Sequence, residues 1–144
     1  GDVYKRQSRK DAKAILNDTD PAPDDGAKLE GRLFIEKIYA LMDSHIADSG
    51  FKVEAFGQSI GLSRVQLYRR IKEQTGYSPN ELLRVYRLQK AKKLLSTTDL
   101  AVAEVAYRVG FSSPAYFTKC YREFYKELPT AFLKRMALKN EDSL

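Results

Sequence analysis

The chain repeats itself at a spacing of 49 residues, and no other feature limits its possible folds as tightly. Phe56-Gly57-Gln58-Ser59-Ile60-Gly61-Leu62-Ser63 aligns with Val105-Ala106-Tyr107-Arg108-Val109-Gly110-Phe111-Ser112. Each copy reads apolar, small, two variable positions, apolar, Gly, apolar, Ser. This order meets the needs of a helix-turn-helix: the small residue lets two helices cross closely, and the glycine turns the chain. The next apolar residue plugs the corner, and the serine caps the second helix. Further on, Leu67-Tyr68 matches Tyr116-Phe117 at the same shift. Pro79 and Pro129 follow their glycines by 18 and 19 residues, so one extra residue sits in the second copy.

The flanking pattern is helical almost throughout. Leu33, Phe34, Ile38, Leu41, Met42 and Ile46 form one apolar stripe spaced three and four apart, which predicts a first helix. A shorter helix is expected over Val53–Ile60, with Phe56 and Ile60 inward and Gly61 at its exit. Ser63-Arg64-Val65-Gln66 is a capping box that opens a third helix ending at Gly76. Ser78-Pro79-Asn80-Glu81 is a second box with proline at the first helical position, opening a long helix to about Ser96. The expected organisation is a linker over residues 1–30 and an all-α domain over 31–140. That domain comprises one helix-turn-helix subdomain (31–77), a linker helix (78–97) and a second subdomain (98–140). The linker assignment rests on Asp18 to Gly26, where four aspartates, two prolines and a glycine fall in nine positions. Gly1 to Gln7 has no usable pattern and reads as a scar of cloning or assembly.

Charge separates the two parts. Residues 1–50 hold 8 Lys/Arg against 10 Asp/Glu, and residues 51–144 hold 17 against 9. The basic excess therefore lies with the repeats, as a polyanion-binding face requires. After Ser63, the outward positions carry Arg64, Val65, Arg69, Arg70 and Lys72, with Leu67 and Ile71 inward. After Ser112 they carry Ser113, Pro114, Ala115, Thr118, Lys119 and Arg122, while Tyr116, Phe117, Cys120, Tyr121 and Phe124 form an apolar face. One cysteine and one histidine, Cys120 and His45, cannot build a structural zinc site or a disulfide framework. Cys120 falls on the apolar face as a core thiol, and no Gly-rich phosphate loop or Ser/His/Asp set is present. The reading is therefore a non-enzyme with no cofactor and no metal. No run of 18 apolar residues and no secretory leader occurs, so a cytoplasmic location without membrane contact is expected.

At Ala106 to Phe132 the chain resembles the signature region of the AraC/XylS family of bacterial transcription regulators. The residues that carry the likeness are Gly110-Phe111-Ser112-Ser113, Tyr116-Phe117, Cys120-Tyr121-Arg122, Pro129 and Phe132. Gly61 to Pro79, with Arg84, Arg87-Leu88, Ala91 and Leu94-Leu95, is similar to the family's first unit. The versions most like it end hybrid two-component sensor-regulators of Bacteroides-type bacteria. The resemblance implies seven helices, with two helix-turn-helix subdomains joined by the long helix. It places the recognition helices at about Ser63 to Glu73 and Ser113 to Phe124. Lys126 stands where the family has glycine, and Leu128 and Ala101 where it has a capping Ser or Thr. The implied partner is double-stranded DNA, read in two adjacent major-groove segments about 34 Å apart. RNA polymerase is a further candidate partner, and dimerisation of the full-length protein a candidate state. Arg64, Arg69 and Arg70 are expected at base edges or nearby phosphates of the first groove, with Val65 and Tyr68 beside them; Thr118 and Lys119 are expected in the second. Ser63 and Ser112, at the helix starts, are expected at phosphates, joined by the charges of Lys72 and Arg122; Ser113, Pro114 and Ala115 complete the second face. The competing reading is a helical protein-interaction module without specific DNA binding, which would need contiguous apolar faces where these are basic and polar.

Overall fold

The computed structural model describes residues 25–142. Residues 1–24, which hold the supposed scar and most of the expected linker, lie outside them. Among the described residues there are six α-helices and no strand: α1 (Asp25–Ser44), α2 (Arg64–Thr75), α3 (Pro79–Thr97), α4 (Val102–Arg108), α5 (Pro114–Tyr125) and α6 (Pro129–Asp142). Two 3-10 turns, Val53–Phe56 and Gln58–Ile60, stand where the second of the seven expected helices was placed. Gly57 lies between them, and glycine costs a helix interior about 1 kcal/mol relative to alanine. The second copy has Ala106 at that position and forms a regular α-helix, α4. Helix α1 includes residues 25–30, which the composition assigns to a linker.

The chain divides into two compact units, one running to Ser44 and resuming at Phe51–Leu83, the other made of His45–Gly50 and Arg84 onward. In the first unit, α1 packs on α2 and on the first 3-10 turn. Phe34, Ile35, Ile38, Met42, Phe51, Val53, Leu67 and Ile71 are buried there. The inward stripe of α1 thus includes Ile35, whereas Leu33, counted in the stripe by spacing, is exposed. Leu33 stands two positions from both Gly31 and Ile35, about 200° around the helix, which carries it off the face that those residues bury. Gly31 of α1 is buried, and a Cβ there would collide with the Gln74 side chain of α2.

The second unit is built on Leu88, Ala91 and Leu95 of α3, Val105, Ala106 and Val109, then Phe111, Phe117, Cys120, Tyr121 and Phe132. Cys120 is buried, as the apolar face of its helix predicts. Edge-on and tilted ring contacts run from Phe111 through Phe117 and Tyr121 to Tyr125, at centroid distances of 5.2, 5.7 and 4.7 Å. Such pairs add about 0.5–1.5 kcal/mol each beyond the area they bury. Lys92 holds its Nζ 4.4 Å from the Tyr125 ring centre, a cation over the end of that chain.

The short segment between α1 and the 3-10 turns belongs to this second unit. Ile46 packs on its core, and the buried Arg87 donates from Nη2 to the Asp48 carbonyl at 2.8 Å. Burial lowers the Arg87 pKa, and the nearby Asp48 charge opposes that shift. Gly110 (φ +92°) sits directly under this segment: a Cβ there would overlap the Ile46 carbonyl and stand 2.8 Å from Arg87 Nε. Gly61 (φ +74°) has nothing within 4 Å of its Cβ position.

The equivalent glycines of the repeat should therefore differ in tolerance. Gly61→Ala is expected to cost about 1–2 kcal/mol, the conformational penalty alone. Gly110→Ala is expected to cost roughly 3 kcal/mol or more, because overpacking against backbone is added. Urea unfolding of the two variants checks this, and equal losses would contradict it. Lys126 caps α5 at φ 63°, in the left-handed region. Lys126→Gly is expected to stabilise by about 0.5–1 kcal/mol, seen as a raised unfolding midpoint.

Candidate nucleic-acid interface

Each unit builds its exposed helix through the same sequence of backbone events. In the first, the Leu62 amide donates to the Gly57 carbonyl at 2.7 Å, and Gly61 takes the left-handed conformation. In the second, the Phe111 amide donates to the Ala106 carbonyl at 3.0 Å, and Gly110 takes the same hand. These bonds match at a shift of 49. Beyond them the register changes. The Ser63 hydroxyl accepts from the Gln66 amide and caps α2, but it is Ser113, not Ser112, whose hydroxyl accepts from the Tyr116 amide and caps α5. Ser112 is the extra residue of the second copy, an exposed position in the turn.

From the caps onward the repeat therefore runs at a shift of 50. Leu67 pairs with Phe117 and Ile71 with Tyr121, and all four side chains are fully buried. The structure pairs Leu67-Tyr68 with Phe117-Thr118, one residue beyond the Tyr116-Phe117 that the shift of 49 predicts. The chain held the clue: Ser78-Pro79 is a serine cap followed by proline at the first helical position, and Ser113-Pro114 repeats it.

With the register corrected, the two helices present corresponding faces. Val65, Arg69 and Lys72 lie on one side of α2, and Ala115, Lys119 and Arg122 occupy the same positions of α5. All six are exposed, and both copies place a cation at the sixth and the ninth helical residue. Arg64 and Tyr68 flank the first face and are exposed; Pro114 and Thr118 flank the second and are half-buried. Val65 is 73% exposed, unusual for an apolar residue at the centre of a basic surface.

Arg70 departs from the expected outward position. It is half-buried, with its guanidinium 4.0 Å over the Phe34 ring, so it braces α2 against α1. In the corrected register it corresponds to the buried Cys120, which explains its inward tilt. Tyr116 departs in the other sense. Its spacing groups it with the inward aromatic residues, yet it is 43% exposed, and its hydroxyl accepts from Arg84 Nη1 at 3.4 Å. The helix starts also differ. Gln66 closes a reciprocal capping box, its Oε1 accepting from the Ser63 amide, whereas no such return bond is made where Tyr116 stands.

Two capped, exposed, basic helices, each entered through a left-handed glycine turn, define a tandem helix-turn-helix protein. Residues 57–135 match a family described as a helix-turn-helix domain. Histidine kinase P4 of Formosa agariphila is 36% identical over 101 residues, which is 70% of this chain but 7% of that protein. The HTH-type transcriptional activator RhaS of Escherichia coli is 34% identical over 92 residues, 64% of this chain and 33% of its own length. The chain thus spans a small part of one relative and a third of the other. Among solved structures, the DNA-binding domain of AdpA in complex with a target DNA superposes with a TM-score of 0.66 and 30% identity, over 73% of this chain and 94% of that one. The C-terminal domain of AraT, a response regulator from Geobacillus stearothermophilus, gives 0.63 and 28%, over 70% and 84%. The chain belongs to the AraC-type helix-turn-helix family of DNA-binding domains.

The Arg70 geometry separates two roles among the arginines of α2. Arg70→Ala is expected to destabilise the first unit by about 0.5–1 kcal/mol through loss of the stacked cation, while Arg69→Ala leaves stability unchanged within about 0.5 kcal/mol. Thermal unfolding of both variants decides the point, and a reversed order would assign the packing role to Arg69.

Proposed function

We propose that this chain is the DNA-binding portion of a transcription regulator that reads two adjacent major-groove segments, one with α2 and one with α5. The observation that carries this reading is the shared face: two independently capped helices place cations at the same two helical positions, with a small or β-branched apolar residue at the second. An interaction groove for a protein partner would call for a contiguous apolar surface instead.

On this reading Arg69 and Lys119 address base edges, where an arginine can bond bidentately to guanine. Arg64 reaches base edges or the phosphates beside them. Val65 and Ala115 meet thymine methyl groups. Lys72 and Arg122, later in each helix, neutralise phosphates, and the capped starts at Ser63 and Ser113 offer backbone amides to others. Arg70 contributes to packing. The likeness to a histidine kinase and to response regulators supports a place at the end of a longer two-component regulator in the cytoplasm. RNA polymerase and a second copy of the full-length protein are its further partners. None of the described helices is long and apolar enough to cross a membrane.

The test is selection from a random duplex library with the full chain at ~150 mM salt, followed by affinity measurements on the recovered and on unrelated duplexes. Arg69→Ala should weaken binding to the recovered site by roughly 1–3 kcal/mol and relax its sequence preference. Lys72→Ala should weaken both duplexes alike and lower the salt slope by about 1. Identical effects of the two substitutions on both duplexes would refute these roles. Recovery of no motif would refute the reading itself.

A further inference from the structure

Tyr116 is the residue by which the second helix most clearly differs from the first. Its counterpart, Gln66, spends its side chain on the reciprocal capping bond to Ser63. Tyr116 makes no such bond and lies 43% exposed, beside the face formed by Ala115 and Lys119. Its ring is steadied by Phe111, the corner residue of the turn, at 5.8 Å and 57°. Its hydroxyl oxygen accepts from Arg84 Nη1, delivered by the long helix α3. A phenol oxygen that accepts from a guanidinium keeps its own proton to give, and the adjacent cation strengthens that proton as a donor. The result is an exposed tyrosine at the edge of a basic helix face, with a guanidinium 3.4 Å from its hydroxyl oxygen and a proton left to donate.

We infer that Tyr116 is a further DNA-contacting residue: its hydroxyl donates to one backbone phosphate oxygen beside the segment read by α5, and Arg84 is the positioning residue that orients it. The inference rests on the DNA-binding reading above and adds a contact from outside the cationic face. Its consequence is register. A hydrogen bond to one phosphate fixes how far α5 can shift along its groove, which carries no sequence information by itself but determines which bases Lys119 meets. Since Tyr116 carries no charge, its contact should leave the salt slope unaltered, unlike those of Lys72 and Arg122.

The test uses the full chain with the library-selected duplex and an unrelated 30-base-pair duplex at low salt. Tyr116→Phe keeps the ring and its packing on Phe111 but removes the hydroxyl. It is expected to bind the selected duplex about three- to tenfold more weakly, with an unchanged salt slope and unchanged thermal unfolding. Neutral methylphosphonate placed at single positions should weaken the unsubstituted protein at one phosphate beside the second motif, and Tyr116→Phe should be indifferent to that same replacement. Arg84→Ala should weaken binding by a similar factor, and the double variant should lose little more than either alone. If Tyr116→Phe binds as the unsubstituted chain does while Arg69→Ala is impaired, this inference is overturned and the DNA-binding reading stands. Additive losses in the double variant would overturn the positioning role of Arg84. If the unsubstituted chain binds neither duplex, both the inference and the reading beneath it fall.

Discussion

The presentation of each basic helix depends on one backbone hydrogen bond that closes the turn before it. The amide of the corner residue, Leu62 or Phe111, returns to the carbonyl of the small residue five positions earlier, Gly57 or Ala106. That bond can form only if the residue between, Gly61 or Gly110, takes a positive φ, which L side chains resist by 1–2 kcal/mol or roughly that. Once it is made, the chain emerges at a serine in extended conformation, and the serine hydroxyl holds the third amide of the helix that follows. The outward placement of the cations follows from that start and from burial of the residues at the fourth and eighth helical positions.

The two copies reach this arrangement by different local means. The first runs as two 3-10 turns through Gly57, where a Cβ would stand 2.7 Å from the Leu62 carbonyl, and a full capping box secures α2. The second has a regular α4 without a side-chain cap at Ala101, and its turn is tightened by the Ile46–Asp48 segment lying over Gly110 and held by Arg87. Its exposed helix exchanges a self-capping glutamine for a tyrosine held by Arg84. Both copies cap the exposed helix with a serine of their own, and the second adds a contact from Arg84, 32 positions away. With Tyr116 at a phosphate as inferred, the second helix gains a contact that has no counterpart at Gln66.

Much of this was legible in the sequence, because the repeat, the Ser-Pro starts and the glycine exits are local signals with local causes. The all-α class, the span of the long helix, the capping boxes at Ser63 and Ser78 and the burial of Cys120 all follow from such signals. What was missed depended on tertiary context or on a single inserted residue. Ser112 and Ser113 are adjacent and chemically identical, and only the following proline distinguishes the cap. Mistaking it turned Tyr116 inward by one position. Arg70 could not be separated from Arg69 by composition, since its place is set by the Phe34 ring on another helix. The role of Gly110 as a close-approach site is equally invisible without the Ile46 carbonyl, 64 positions earlier.

Whether both helices of one chain read one duplex, as proposed, is decided by chemical footprinting of the full chain on its selected DNA, probing guanine N7 in the major groove. Two protected segments are expected on one face of the duplex, separated by about one helical turn of 10–10.5 base pairs. Protection of a single segment would contradict the proposal and leave the second helix with another purpose.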